Sequence, residues 1–256
     1  MPPNPETIEE VCLNAWPALQ EVHYDGWLIR FADGLTKRTN SANALRRGVL
    51  PIREKIAHCA ALYRAQGRTP IYRVLSFLDD GLEPALGDMG YRSIDETLTL
   101  YADYSAEPPP APLLPVELTP TPPGAEWLAA RRRFQGLDAA DGATLEKILG
   151  ALAIPAIFGA VRDEAGQIVS IAKGAVHNGI VCLNLVATDP EAQRRGHSRA
   201  CVSGVLHWAI REHGVRGACL QVLADNTPAI ALYRQLGFTR DAYRYRYWVN
   251  SQRRDL

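Results

Sequence analysis

Val186-Ala187-Thr188-Asp189-Pro190-Glu191-Ala192-Gln193-Arg194-Arg195-Gly196-His197-Ser198 decides how this chain is read. An apolar run ends at Thr188, and Asp189-Pro190 breaks it. Beyond Gly196, Cys201, Val202, Val205, Leu206, Trp208 and Ala209 recur at three- and four-residue spacing. The stretch therefore reads as a strand, a tight loop and the start of a helix with one apolar stripe. Such a junction is a pyrophosphate site in outline. Unpaired amides of the loop and first turn point outward, the helix dipole adds partial positive charge, and Gly196 lets a phosphate approach the backbone. Arg194, Arg195 and Arg199 add charge-assisted donors.

Working outward, the pattern alternates strands and helices. A helical region is expected from Glu126 to Leu152 and a strand from Ala156 to Arg162. Two more strands, Gln167 to Val176 and Ile180 to Thr188, are joined by His177-Asn178-Gly179, whose Asn-Gly pair signals a hairpin. Downstream, Ala218 to Val222 reads as a buried strand, Thr227 to Leu236 as a helix, and Thr239 to Val249 as a final strand with Tyr243, Tyr245 and Tyr247 in alternation. The fold class is α/β (α+β), with a mixed, mostly antiparallel sheet flanked by helices.

Glu107 to Pro123 contains eight prolines, which forbid helix and favour an extended connector, with Val116 to Leu118 as a short edge strand inside it. The expected organisation is an N-terminal domain over 1–106, a linker over 107–123 and a C-terminal domain over 115–256. The first domain repeats the layout of the second. Arg46-Arg47-Gly48 and Arg194-Arg195-Gly196 stand 148 residues apart, and Gly90-Tyr91 and Gly237-Phe238 stand 147 apart. Between these anchors both halves carry a helix, a glycine (Gly67, Gly214) and an apolar strand.

Composition removes several function classes. The 28 basic and 28 acidic side chains balance, so no charge bias points to nucleic acid, although 24 of the basic residues are arginine. Five widely spaced cysteines in apolar runs fit buried thiols of a reducing compartment, and no Cys-x-x-Cys or histidine cluster suggests a metal. No segment approaches the roughly 18 apolar residues of a membrane span. Residues 1–11 lack a basic stretch leading into an apolar one, so a cytoplasmic location is expected.

With both blocks in view, the chain resembles the GNAT acetyltransferase superfamily. Gln193-Arg194-Arg195-Gly196-His197-Ser198 is similar to that family's cofactor loop, with Ser198 where Gly or Ala is preferred. Leu220-Gln221-Val222, Asn226, Ala229, Leu232-Tyr233 and Gly237-Phe238 are similar to its second block. The resemblance covers nearly all of 115–250. It implies acetyl-CoA as co-substrate, no metal, and two GNAT-like domains, the N-terminal one degenerate, as in tandem acetyltransferases of the mycothiol synthase type.

The resemblance also assigns parts. Val186, Ala187 and Thr188 would pair through backbone groups with the pantetheine arm. Gln193, Arg194, Arg195, Gly196, His197, Ser198 and Arg199 would hold the pyrophosphate. Asn226 and Tyr233, seven residues and about 700° of helix apart, would share one face toward the cofactor. Tyr233 takes the position of the family's catalytic tyrosine, which serves the departing sulfur. An ordinary phenol is about 2 kcal/mol short of protonating an ordinary thiolate, so hydrogen bonding is its expected role.

The strand from Ile180 to Thr188 has no carboxylate to act as base, and His177 at the hairpin stands roughly 20 Å from the site. Proton removal through water is expected, with Asn184 or the Phe134–Asp138 loop contributing. In the first half, Leu86 replaces the tyrosine and Pro51 removes an amide from the first turn. The polar run Thr36–Asn43 is read either as a wall of the acceptor pocket or as a capped turn. The expected activity is acetyl transfer to a primary amine of a small molecule. A protein amine as acceptor, or CoA binding without turnover, are the alternatives.

Overall fold

The computed structural model describes residues 3–78 and 80–250. In chain order the first elements are α1 (Pro5–Ala15), β1 (Gln20–Tyr24), β2 (Trp27–Phe31), β3 (Ala42–Ala44), α2 (Ile52–Ala65), β4 (Ile71–Leu75), α3 (Leu82–Asp88) and β5 (Tyr91–Asp103). Then come β6 (Glu117–Pro120), α4 (Ala125–Gln135), α5 (Ala139–Gly150), β7 (Ala156–Arg162), β8 (Ile168–His177) and β9 (Ile180–Thr188). The last are α6 (His197–His213), β10 (Gly217–Leu223), α7 (Thr227–Gln235) and β11 (Arg240–Asn250). Among the described residues no helix is long and apolar enough to cross a membrane.

Two compact units emerge. The larger takes Met1–Pro17, Thr99–Val222 and Asn226–Ala242; the smaller takes Ala18–Leu98, Leu223–Asp225 and Tyr243–Leu256. This division differs from a cut at the proline-rich connector. Helix α1 belongs to the larger unit, and β5 and β11 each run from one unit into the other. Prolines mark where hydrogen-bonded structure is interrupted; they carry no information on which strands share a core.

The strand order is β1-β2-β3-β4-β11-β5 in the smaller unit and β5-β10-β9-β8-β7-β6 in the larger. Pairs β3–β4 and β9–β10 are parallel, while β1–β2, β2–β3, β4–β11, β6–β7, β7–β8 and β8–β9 are antiparallel. The mixed, mostly antiparallel α/β architecture is thus the expected one. The order strand, strand, strand, helix, strand, helix, strand occurs twice, from β1 to β5 and from β7 to β11.

Local chemistry explains most boundaries. Asn4 caps α1 by accepting from the Thr7 amide at 2.8 Å, with Pro5 at the first helical position. Asn178 and Gly179, with φ of +50° and +72°, make the β8–β9 hairpin turn. The helical region after Glu126 is two helices. Gly136, with φ of +61°, ends α4, and Asp138 caps α5 by accepting from the Asp141 amide.

In the larger unit the sheet is covered on two faces. On one, α6 lies so close that a Cβ on Gly159 or Gly174 would stand 2.9 or 2.4 Å from Val205. There Cys201, Val202, Val205, Leu206 and Ala209 are fully buried, each Val or Leu contributing about 1.5–3 kcal/mol. On the other, Trp127 of α4 meets the Phe158 ring edge-on at 5.0 Å, and Lys173 Nζ donates to the Ala15 carbonyl of α1.

Candidate functional site

The parallel pairing of β9 with β10 runs from Ile180↔Gly217 to Leu183↔Leu220 and stops there. Beyond it β9 stays paired to β8 on its other side, through Asn184↔Lys173, Ala187↔Ile171 and Thr188↔Ser170. One edge of β9 from Asn184 onward therefore faces a gap where the two strands part. Val186, Ala187 and Thr188 lie on this edge, half-buried. Thr188 also shares a 2.9 Å hydroxyl hydrogen bond with Ser170.

A bulge sits at the same place. Leu185 and Val186 stand opposite Ala172 alone, and Leu185 has φ of +54°. A bulge leaves one residue out of the ladder, so its backbone groups are free for another partner. A leucine in the left-handed region costs about 1–2 kcal/mol, strain of a kind that gathers at functional sites. Nothing in the sequence marks Leu185, because leucine does not favour this conformation.

The loop continues the same strand end. The Asp189 amide donates to Val169 O at 2.9 Å, and the Asp189 carboxylate accepts from the Glu191 amide and lies 3.5 Å from Arg133 Nε. Pro190–Ala192 forms one 3-10 turn; Gln193 is extended, and Arg194 and Gly196 have φ of +65° and +81°. Gly196 starts α6 with no side-chain cap, and Ala200 is the first amide to bond back, to Gly196 O at 3.0 Å. The amides of His197, Ser198 and Arg199 therefore have no partner in their helix. Gln193, Arg194, Arg195 and Gly196 are exposed, and the space a Cβ on Gly196 would enter is empty. His197 turns its ring back, Nδ1 donating to Ala192 O at 3.1 Å, and Arg199 Nε is buried with no hydrogen bond.

Tyr233 lies on the buried face of α7, 8% exposed, with its ring 5.9 Å from that of Phe238. Its hydroxyl makes no hydrogen bond among the described residues, and burial pushes its pKa up to about 12. Asn226 is not on the same helical face. It is the N-cap, with ψ of 66°, and its Oδ1 accepts from the Ala229 amide at 3.2 Å. Helical arithmetic does not extend through a residue outside the helix. Its amide nitrogen remains a free donor at the start of α7.

Other expectations meet their surroundings. His177 ends β8 and pairs with Glu10 at 3.0 Å. The Thr36–Asn43 run is a capped turn: Asn40 Oδ1 accepts from the Ala32 and Gly34 amides, and its Nδ2 donates to Ala32 O and Thr36 O. The smaller unit's counterpart of the Gly196 loop is filled from within. The Asp25 carboxylate accepts from the Val49 and Leu50 amides at 2.9 and 3.0 Å and pairs with buried Lys55 at 3.1 Å. Leu86, the counterpart of Tyr233, is fully buried in that unit's core.

Linear spacing showed no metal motif, yet the fold brings the sulfurs of Cys12, Cys182 and Cys219 within 4.8 Å of one another. Hydrogen bonds among them and burial push the Cys219 thiol well above its ordinary range. In the smaller unit a cleft of about 420 Å³ runs past Ser76, Glu96, Arg244 and Arg246. Its charges answer one another, Glu96 holding Arg244 at 3.2 Å and Arg246 at 3.1 Å.

Comparison with known proteins places this geometry. The family model "Probable histone acetyltransferase Rv0428c C-terminal" matches residues 6–248. A mycothiol acetyltransferase of Arthrobacter sp. (strain FB24) is 38% identical over 93 residues, covering 34% of this chain and 28% of that enzyme. The N-acetyltransferase YobR of Bacillus subtilis (strain 168), itself uncharacterized, is 21% identical over 247 residues, 91% of this chain and 93% of its own. Among solved structures, a GCN5-related N-acetyltransferase from Kribbella flavida shares the fold with a TM-score of 0.73 at 16% identity, covering 97% and 96% of the two chains. The chain belongs to the Rv0428c C-terminal family and, with it, to the GNAT acetyltransferase superfamily.

Proposed function

We propose that this protein is an acetyl-CoA-dependent N-acetyltransferase that acetylates a primary amine of a small molecule by direct attack. The observation that carries it is the parting of β9 from β10 after Leu183 and Leu220, with the Leu185 bulge and the uncapped start of α6 on the same strand and its loop. The free edge from Asn184 to Thr188 suits an extended amide chain such as pantetheine, which pairs as a strand would. The amides of His197 to Arg199, with Arg194 and Arg195, suit the pyrophosphate.

The amine attacks the thioester carbonyl, a C–N bond forms and the C–S bond breaks, and the amine's proton leaves through water. A free amide at the bulge stabilises the developing oxyanion. Bringing amine and thioester together supplies about 7–11 kcal/mol. Tyr233 acts on the leaving sulfur as a hydrogen-bond donor. With its pKa at about 12, full proton transfer to an ordinary thiolate near 8.5 would be uphill by about 5 kcal/mol. On this reading residues 115–256 supply the working site, residues 1–106 hold a degenerate copy, and 107–123 connect them. The five buried cysteines, none of them in a disulfide, support a reducing, cytoplasmic setting.

Thermal unfolding with acetyl-CoA, followed by free-thiol release with a panel of amines, tests the proposal. Acetyl-CoA should stabilise the protein, and release should require an amine. Tyr233→Phe should keep the stabilisation and lose about 10–100-fold in turnover. A folded protein that acetyl-CoA does not stabilise would remove the proposal.

A further inference from the structure

Among the buried polar groups of the larger unit that lack a hydrogen-bond partner, Arg131 lies on α4 and Asn184 on β9, which belongs to the sheet that helix covers. Arg131 is 8% exposed, and neither its Nε nor its Nη1 makes a hydrogen bond. Asn184 is 8% exposed, and its Oδ1 is buried without a donor. Strand register places them. Phe158, Lys173 and Asn184 are successive cross-strand partners on β7, β8 and β9, so they share a face. Helix α4 covers that face. Trp127 meets the Phe158 ring edge-on and donates to Gly159 O, while Arg133, further along, donates to Ile168 O and approaches Asp189. Arg131 is one turn beyond Trp127 on α4, between these two anchors along the helix, and Asn184 adjoins the Leu185 bulge on the strand.

Native proteins rarely bury a guanidinium without an anion. Burial lowers the Arg131 pKa only to about 10, so it stays cationic at neutral pH. A planar fork of donors matches a carboxylate, and an unpartnered amide oxygen accepts an amine N–H. On the acetyl-transfer reading above, we propose that the acceptor is an amine that also carries a carboxylate, as an amino acid does, with Arg131 receiving the carboxylate and Asn184 Oδ1 positioning the amine beside the bulge.

The test compares acetyl transfer to free amino acids, to the same amino acids as C-terminal amides, and to phosphoethanolamine. The free acids should be the better acceptors. Arg131→Gln should lower their kcat/KM by about 10–100-fold, through KM, and leave the amides unchanged. Asn184→Ala should raise KM for acids and amides alike. Arg131→Met, which removes an unpartnered buried charge at similar volume, should fold and unfold at a higher temperature than the parent. Acetyl-CoA stabilisation is measured on every variant. If it persists while amides match acids, or while Arg131→Gln slows both equally, the acceptor assignment is overturned and the cofactor site stands. A preference for phosphoethanolamine would overturn the carboxylate in favour of a phosphate. If acetyl-CoA stabilises no variant and not the parent, both proposals fall together.

Discussion

The loops at Gly196 and Gly48 occupy the same place in two copies of one element order, and they differ in what faces their amides. At Gly196 the first-turn amides of α6 have no side-chain cap and open space lies where a Cβ would go. At Gly48 the Asp25 carboxylate takes the Val49 and Leu50 amides, and a Cβ on Gly48 would stand 1.8 Å from its Oδ2. Unpaired amides at a helix start favour an anion by the same physics at both loops. One has an internal anion, so an external one has nothing to gain there. The smaller unit thus differs from the larger in an occupied loop as well as in Leu86 where the larger has Tyr233.

The contrast can be broken in three ways. The largest effect is expected from Gly196→Glu, which puts a carboxylate where phosphate would lie. The parent should gain about 2.7 kcal/mol from acetyl-CoA at 100 times its dissociation constant, and the variant nothing. Next come matched alanines. Gly48→Ala forces the Asp25 carboxylate aside and should cost about 1–3 kcal/mol, while Gly196→Ala meets only backbone strain, about 1–2 kcal/mol. Thermal unfolding at about 2–4 °C per kcal/mol resolves the two. Equal losses would deny that the Gly48 loop is plugged.

The smallest effect is in pH. Backbone hydrogen bonding from Val49, with help from Leu50 and Lys55, holds the Asp25 carboxyl below its ordinary pKa. A depressed carboxyl stabilises the fold above its unfolded pKa, about 3.9, and the benefit is lost as pH falls through the folded value. The gap in urea midpoint between the parent and Asp25→Asn should therefore be present at pH 7 and narrow below about pH 4.

What was legible in the sequence follows from range. The β9–loop–α6 junction, the Asn178-Gly179 turn and the stripe from Cys201 to Ala209 depend on neighbours a few residues away, and they stand where expected. Asp25 is 23 residues from Gly48, and no local pattern joins them. Leu185 gives no sign of a bulge because the register of β8, not its own preference, imposes it. Arg131 reads as one of three consecutive arginines on a helix, and only packing shows that it alone of the three is buried. The helix from Thr227 stands where expected, but the 700° count to Tyr233 started from Asn226, which lies outside the helix as its cap.

The distribution of α1 and of strands β5 and β11 over two units bears on what can be removed from the chain. The Ala15 carbonyl that receives Lys173 Nζ, and Cys12 beside Cys182 and Cys219, come from the first 17 residues, ahead of the smaller unit's first strand. A deletion that discarded residues 1–106 would strip the larger unit of a helix and a strand. The first 106 residues therefore cannot be cut away as a block without dismantling the larger unit as well.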